Sequence, residues 1–157
     1  MEYSQEELIE NINSNRTESI WNVLDIKLVE ARKDRVVATM PIGPNHRQQV
    51  GYLHGGVSVV LAESLASFGS VLNIDANTQM AFGLEINANH VRPKREGMVT
   101  GVATPITRGR TTHVWDIRIT DEQDRLICIS RCTVAIVDRP PDNGNPLVKR
   151  GVKLQEG

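Results

Sequence analysis

One stretch constrains this chain more than any other. Residues 57–72, VSVVLAESLASFGSVL, are apolar or small on nearly every face of a helix, and they follow directly on His54, Gly55 and Gly56. A helix that is hydrophobic all round is a buried one. Around it the sequence alternates like strands. Residues 26–29 and 35–40 form a hairpin pattern split by Arg32, Lys33 and Asp34. Four further runs follow at 80–91, 98–107, 112–120 and 126–137, separated by turn-forming residues. Two strands, one long helix and four consecutive strands predict an α+β layout, with an antiparallel sheet wrapped around the helix. One sheet covers only part of such a helix. Covering the rest most economically takes a second copy of the chain, so a homodimer is expected.

The flanks read differently. Leu8, Ile9 and Ile12 stand at helical spacing behind acidic residues, and a short apolar stretch follows at 20–24. The expected organisation is an N-terminal helical segment over 1–23, one domain over 24–138, and a Pro- and Gly-rich, poorly ordered tail over 139–157. A length of 157 residues fits one domain.

Charge excludes some partners. Eighteen basic residues against nineteen acidic ones give a net charge of −1, which leaves no global field for nucleic acid or an anionic membrane. No apolar run approaches the ~20 residues of a membrane-spanning helix. The acidic, polar start is unlike a signal or transit peptide, so a cytoplasmic protein is expected. Cys128 and Cys132, four apart on one strand, are too far separated for a disulfide and lack a second ligand pair for a metal. Free thiols, and no metal site, are expected.

The chemistry centres on Glu63, the only formally charged residue between Val50 and Ile74. A carboxylate enclosed in apolar surroundings is costly unless paired or neutralised, and a Glu tuned in this way suits a general base or a nucleophile. The competing reading is a hydrogen-bonded carboxylate that serves only the fold. Ser67, four residues on, shares a helical face with Glu63 and could hold a water or substrate group there. Gly55 stands where the first N–H groups of a helix lack partners, and together with the helix dipole these make an oxyanion or phosphate site, the competing reading being a tight loop-to-helix turn. Gly55 and Glu63 are separated by ~12 Å of helix rise, so one carbonyl cannot meet both in the same chain. Two antiparallel helices across a dimer would bring Gly55 of one copy to Glu63 of the other.

These residues resemble the hotdog-fold thioesterases, in the branch whose catalytic carboxylate lies on the central helix. That branch holds a type of 4-hydroxybenzoyl-CoA thioesterase, the 1,4-dihydroxy-2-naphthoyl-CoA hydrolases of menaquinone synthesis, and phenylacetate-pathway thioesterases. The matching text is Gln48, then GYLHGGVSVVLAES at 51–64 and GLEINANHVR at 83–92. The resemblance implies hydrolysis of an aryl or small-to-medium acyl-CoA to acid and CoA. It makes Glu63 the nucleophile or general base, Gly55 N–H the carbonyl's polarising donor, and Gln48 an assistant at the thioester. His54 would position the substrate or leaving group, and Ser67 would orient the attacking water. No cofactor is implied beyond the CoA of the substrate, and the assembly would be a dimer or a dimer of dimers.

The resemblance also places CoA against Gly83, His90, Val91, Arg92 and Pro93, and along Thr107, Arg108, Gly109, Arg110, Thr111 and Thr112. Arg92, Lys94, Arg95, Arg108 and Arg110 would form one cationic patch at neighbouring strand ends, against the single acid Glu96. Gln49 and Val50 are expected to border the acyl pocket, and His113 is assigned no role. Two other classes compete. A hotdog hydratase or dehydratase would carry a His-loop motif that is not found here. A non-catalytic acyl-CoA regulator would join the hotdog to a DNA-binding helical domain, for which the short acidic start is a poor candidate.

Overall fold

A computed structural model describes residues 2–14, 18–140 and 153–154. The long apolar helix, α3 (Gly55–Val71), lies in the hollow of a six-stranded antiparallel sheet. The strands are β2 (Lys27–Arg32), β3 (Arg35–Pro41), β4 (Gln79–His90), β5 (Met98–Arg108), β6 (Thr112–Thr120) and β7 (Leu126–Asp138). Their order across the sheet is β2-β3-β5-β6-β7-β4. The expected hairpin and four later strands all form, because each run alternates with the period of a strand.

Alternation also decides what faces the helix. Val36, Ala38 and Met40 of β3, Val99 and Ala103 of β5, and Trp115, Ile117 and Ile119 of β6 are buried, as are Cys128, Cys132 and Val134 of β7. They meet Ser58, Leu61, Ala62, Leu65, Ala66, Gly69 and Ser70, a ladder at steps of three and four along α3. Trp115 crosses the helix at Gly69, where an added Cβ would lie 2.6 Å from the ring, and it donates from Nε1 to Ser70 Oγ at 2.9 Å. Both cysteines are free and buried, and burial pushes the Cys132 thiol up to about 12.

The N-terminal segment joins this core. Helix α1 (Gln5–Ser14) contributes Leu8, only 1% exposed. Asn13 grips the outer strand β2: its Nδ2 donates to the Leu28 carbonyl and its Oδ1 accepts the Leu28 N–H, both at 2.8 Å. The side chain thus stands in for a neighbouring strand at an exposed edge. A one-turn helix, α2 (Ile20–Val23), follows, and the Ile26 N–H donates to the Trp21 carbonyl at 2.8 Å.

The expectation for the tail falls largely outside the described residues. Within it, β8 (Lys153–Leu154) pairs in parallel with β1 (Glu2–Tyr3).

The second edge strand has a different character. β4 pairs only with β7, and none of its twelve residues is buried. Phe82 and Leu84 are 51% and 67% exposed.

Candidate active site

The loop before α3 is knitted by histidine and backbone. His46 accepts the Gly43 N–H at Nδ1 (3.1 Å), which leaves Nε2 to donate to the Leu24 carbonyl at 2.9 Å. Gly51, at φ +87°, closes a tight turn in which its N–H donates to the Gln48 carbonyl and the Gln48 N–H donates to Tyr52. Arg95 stacks over the Tyr52 ring at 4.1 Å.

The start of α3 has one donor to spare. His54 is its N-cap, and its Nδ1 accepts the Gly56 N–H at 2.9 Å. The N–H groups of Val57 and Ser58 donate to the His54 carbonyl. Among the described residues that leaves the Gly55 N–H without a partner, at the positive end of the helix dipole. His90 crowds this point, since a Cβ on Gly55 would stand 2.8 Å from His90 Nε2. Gly55, Gln48, His90, Val91, Arg92 and Pro93 line one cavity of about 380 Å³. His54 is spent on the cap and lies outside that lining.

Glu63 faces a different space. It is half-buried rather than enclosed, because its side of α3 also faces a cavity. With Val60, Ser64, Ser67, Phe68 and Val71 it forms one wall of a cavity of about 700 Å³. The opposite wall is the N-terminal segment: Ile12, Asn13, Ser19, Ile20, Trp21, Asn22 and Ile26. Ser67 therefore shares the cavity of Glu63, one turn further along. The Glu63 carboxylate also packs directly on the backbone of β4 at Gly83, where any Cβ would occupy the place of Oε1. Gly83 thus serves the carboxylate and stands apart from the cluster around His90.

Three expectations need correction within the single chain. The five cations do not make one patch. Arg92, Lys94 and Arg95 precede β5, Arg108 ends it and Arg110 follows it, so the eleven-residue strand separates the groups by ~35 Å. They are also partly engaged. Lys94 pairs with Glu122 at 2.6 Å, and Arg108 donates to Asn73 Oδ1 and the Lys33 carbonyl at 2.9 and 3.2 Å. Thr107, Gly109, Arg110 and Thr111 are exposed, and Thr112 half-buried, around the β5–β6 turn. Gln49 and Val50 line neither cavity. The enclosed Glu63 is in fact open to the cavity on one side.

Sequence reading passed over Trp21, Phe68 and Ser64. The helical steps from Val60 through Glu63 and Ser64 to Ser67, Phe68 and Val71 marked the α3 wall. Nothing local marked Trp21, because contacts between distant segments, the Asn13 clamp on Leu28 and the burial of Leu8 among them, bring the N-terminal segment there. Among the described residues, no group of three or more His, Cys, Asp or Glu side chains could hold a metal ion. No helix there is long and apolar enough to cross a membrane.

Comparison with known proteins bears on this arrangement directly. Residues 50–128 match the thioesterase superfamily. The chain is 48% identical over 117 residues to a 1,4-dihydroxy-2-naphthoyl-CoA hydrolase of Listeria monocytogenes, covering 74% of this chain and 94% of that one. It is 45% identical over 129 residues to the enzyme of the same name from Escherichia coli, covering 82% and 94%. A crystal structure of a mutant thioesterase from Pseudomonas aeruginosa superposes with a TM-score of 0.80 at 44% identity, over 83% of this chain and 94% of that one. Central helix, wrapped sheet and sequence all agree: the chain belongs to the thioesterase superfamily, and it is a thioester hydrolase of the hotdog fold.

Proposed function

We propose that this hydrolase cleaves an acyl-CoA, with an aryl or small-to-medium hydrophobic acyl group, to the free acid and CoA in a site completed by a second copy of the chain. One observation carries the reading: the unpartnered Gly55 N–H and the Glu63 carboxylate open into two different cavities of the same helix. A thioester carbonyl needs both at once.

The edge strand supplies the geometry. Glu63 lies at Gly83 and Gly55 at His90, so β4 runs antiparallel to α3. Pairing β4 with its own copy, about a two-fold axis near Ile86 and Asn87, would set Gly83 of one copy opposite His90 of the other. Gly55 of the second copy would then approach Glu63 of the first. The same pairing covers Phe82 and Leu84, and it brings the 90–95 turn of one copy toward the 107–112 turn of the other. The two cation groups would meet there to hold CoA phosphates.

In that site the carbonyl oxygen takes the Gly55 N–H, and the negative charge of the tetrahedral intermediate is held where the dipole favours it. Glu63 either attacks the carbonyl carbon or removes a proton from a water that attacks it. In the first case the C–S bond breaks to give an anhydride and CoA thiolate, and water then splits the anhydride. In the second the hydrated intermediate expels CoA thiolate and leaves the acid. Ser67 orients the water, Gln48 assists at the thioester, and His54 organises the helix start beside the leaving group. The reaction needs no cofactor beyond the substrate's CoA and suits a cytoplasmic acyl-CoA pool.

Thiol release from a panel including 1,4-dihydroxy-2-naphthoyl-CoA, 4-hydroxybenzoyl-CoA and hexanoyl-CoA tests the reading. Glu63→Gln and Glu63→Ala should lower kcat by roughly 10³-fold or more. Retained turnover in both variants would overturn it. Preference for the naphthoyl ester would place the enzyme in menaquinone synthesis. Binding without release, or hydration of an enoyl-CoA, would replace hydrolysis of these substrates by another reaction class.

A further inference from the structure

The cavity beside Glu63 is closed by the N-terminal segment, and that segment brings one aromatic ring to it. Trp21 meets Phe68 of α3 with ring centroids 5.9 Å apart and planes tilted by 55°. We propose that Trp21 is a specificity-determining residue, which with Phe68 forms an aromatic corner favouring a flat aromatic acyl group over a straight alkyl chain. The inference rests on the reading of Glu63 as the group that attacks the thioester carbonyl or activates its water.

Distance supports it first. Phe68 lies five residues beyond Glu63, ~7.5 Å along the helix axis. A ring bonded directly to a carbonyl held at Glu63 reaches that far, and a tilted aromatic pair offers a third ring both a face and an edge. The Ser64 and Ser67 hydroxyls stand on the same wall and can meet polar substituents on the ring. An alkyl chain gains only buried area there and loses its rotational freedom.

Rigidity supports it second. The Trp21 carbonyl accepts the Ile26 N–H at the root of β2, and Asn13 clamps the preceding helix to Leu28. A wall fixed at two points on the sheet discriminates by shape, where a loose one would adapt.

The test compares kcat/KM for 4-hydroxybenzoyl-CoA and octanoyl-CoA in the wild type, Trp21→Phe, Trp21→Leu and Phe68→Leu, each checked by its melting temperature. Trp21→Leu should shift the aryl-to-alkyl ratio toward octanoyl by about tenfold, while Trp21→Phe keeps most of the wild-type ratio. Phe68→Leu should shift the ratio in the same direction, and the double variant should fall short of the product of the single shifts, since the two rings act together. If Trp21→Leu does not fold, folded Phe68→Leu still decides the matter, since an unchanged ratio there overturns the proposal.

Binding provides an independent readout. 4-Hydroxybenzoyl-CoA should quench tryptophan fluorescence of Glu63→Gln, and Glu63→Gln/Trp21→Phe should lose that quench, because Trp115 is fully buried. An unchanged ratio in folded Trp21→Leu, or multiplicative effects of the two substitutions, overturns the proposal even where Glu63→Gln is inactive. Full turnover by Glu63→Gln instead overturns the underlying chemistry, whatever Trp21 does.

Discussion

Glu63 and Gly83 belong together at the scale of single residues, because the carboxylate occupies the volume a side chain at 83 would need. The displaced group in Gly83→Ala is the end of a flexible side chain, so folding should change by less than ~1 kcal/mol. Turnover should nevertheless fall at least about tenfold, because a 1 Å shift of a reacting group is expensive in rate. Activity and melting temperature measured on the same sample separate the two effects, and a variant as active as wild type would detach Gly83 from the chemistry. His113 offers a second residue-scale case. It is 3% exposed with Nδ1 unpartnered, and burial, aided by nearby Arg108, holds its pKa below the ordinary value. The unfolded chain therefore takes up a proton that the native ring resists. Stability linked to His113 is complete above its ordinary pKa of about 6.5 and is lost as pH falls toward the lowered native value. Melting temperature recorded from pH 7.5 to 5 should decline less steeply in His113→Gln than in the wild type.

At the scale of elements, the two edges of the sheet are managed in different ways. On β2 the Asn13 side chain satisfies both the N–H and the carbonyl of Leu28. Asn13→Ala leaves those groups without their partner and should cost about 1–3 kcal/mol in denaturant unfolding. Activity should fall too, because α1 carries part of the cavity wall opposite Glu63. On β4 none of the described side chains blocks the edge in this fashion, and the exposed Phe82 and Leu84 make it a template for another strand. Replacing both by Lys should yield a folded monomer in sedimentation, with thiol release lost alongside. A double variant that still sediments as the wild type would rule out β4 as the pairing edge.

The element scale also shows how far local pattern carries. The hairpin, the central helix and the four later strands were legible because hydrophobic period is a local property of each segment. The placement of Gly55, Glu63 and Ser67 on one helix was legible for the same reason, since spacing alone sets their separation. The cationic patch was misread because turn composition says nothing about which end of an eleven-residue strand a turn occupies. Trp21 went unseen because its neighbour Phe68 is 47 positions away in the chain.

For the whole molecule, the proposed sharing of one site between two copies makes mixing two defective chains the decisive experiment. Gly55→Val and Glu63→Gln homodimers should both be inactive. Their heterodimer has one site in which both native groups meet, so a randomly mixed sample should recover about a quarter of wild-type activity. No recovery in verified heterodimers would place each complete site within one chain.

The amino-acid sequence by itself determined that a buried helix would sit in an antiparallel sheet, that a carboxylate would interrupt its apolar face, and that glycine would open its start. These are consequences of side-chain period and of the unpaired groups at a helix end, and they act over a few residues. Only the tertiary structure decided that the Gly55 N–H stays unpartnered beside His90, that Glu63 rests on Gly83 of an exposed edge strand, and that the N-terminal segment brings Trp21 to its cavity. Those relations depend on strand order, register and packing between distant segments. No local pattern encodes them, because each is settled by which surfaces remain to be buried once the sheet has closed around the helix.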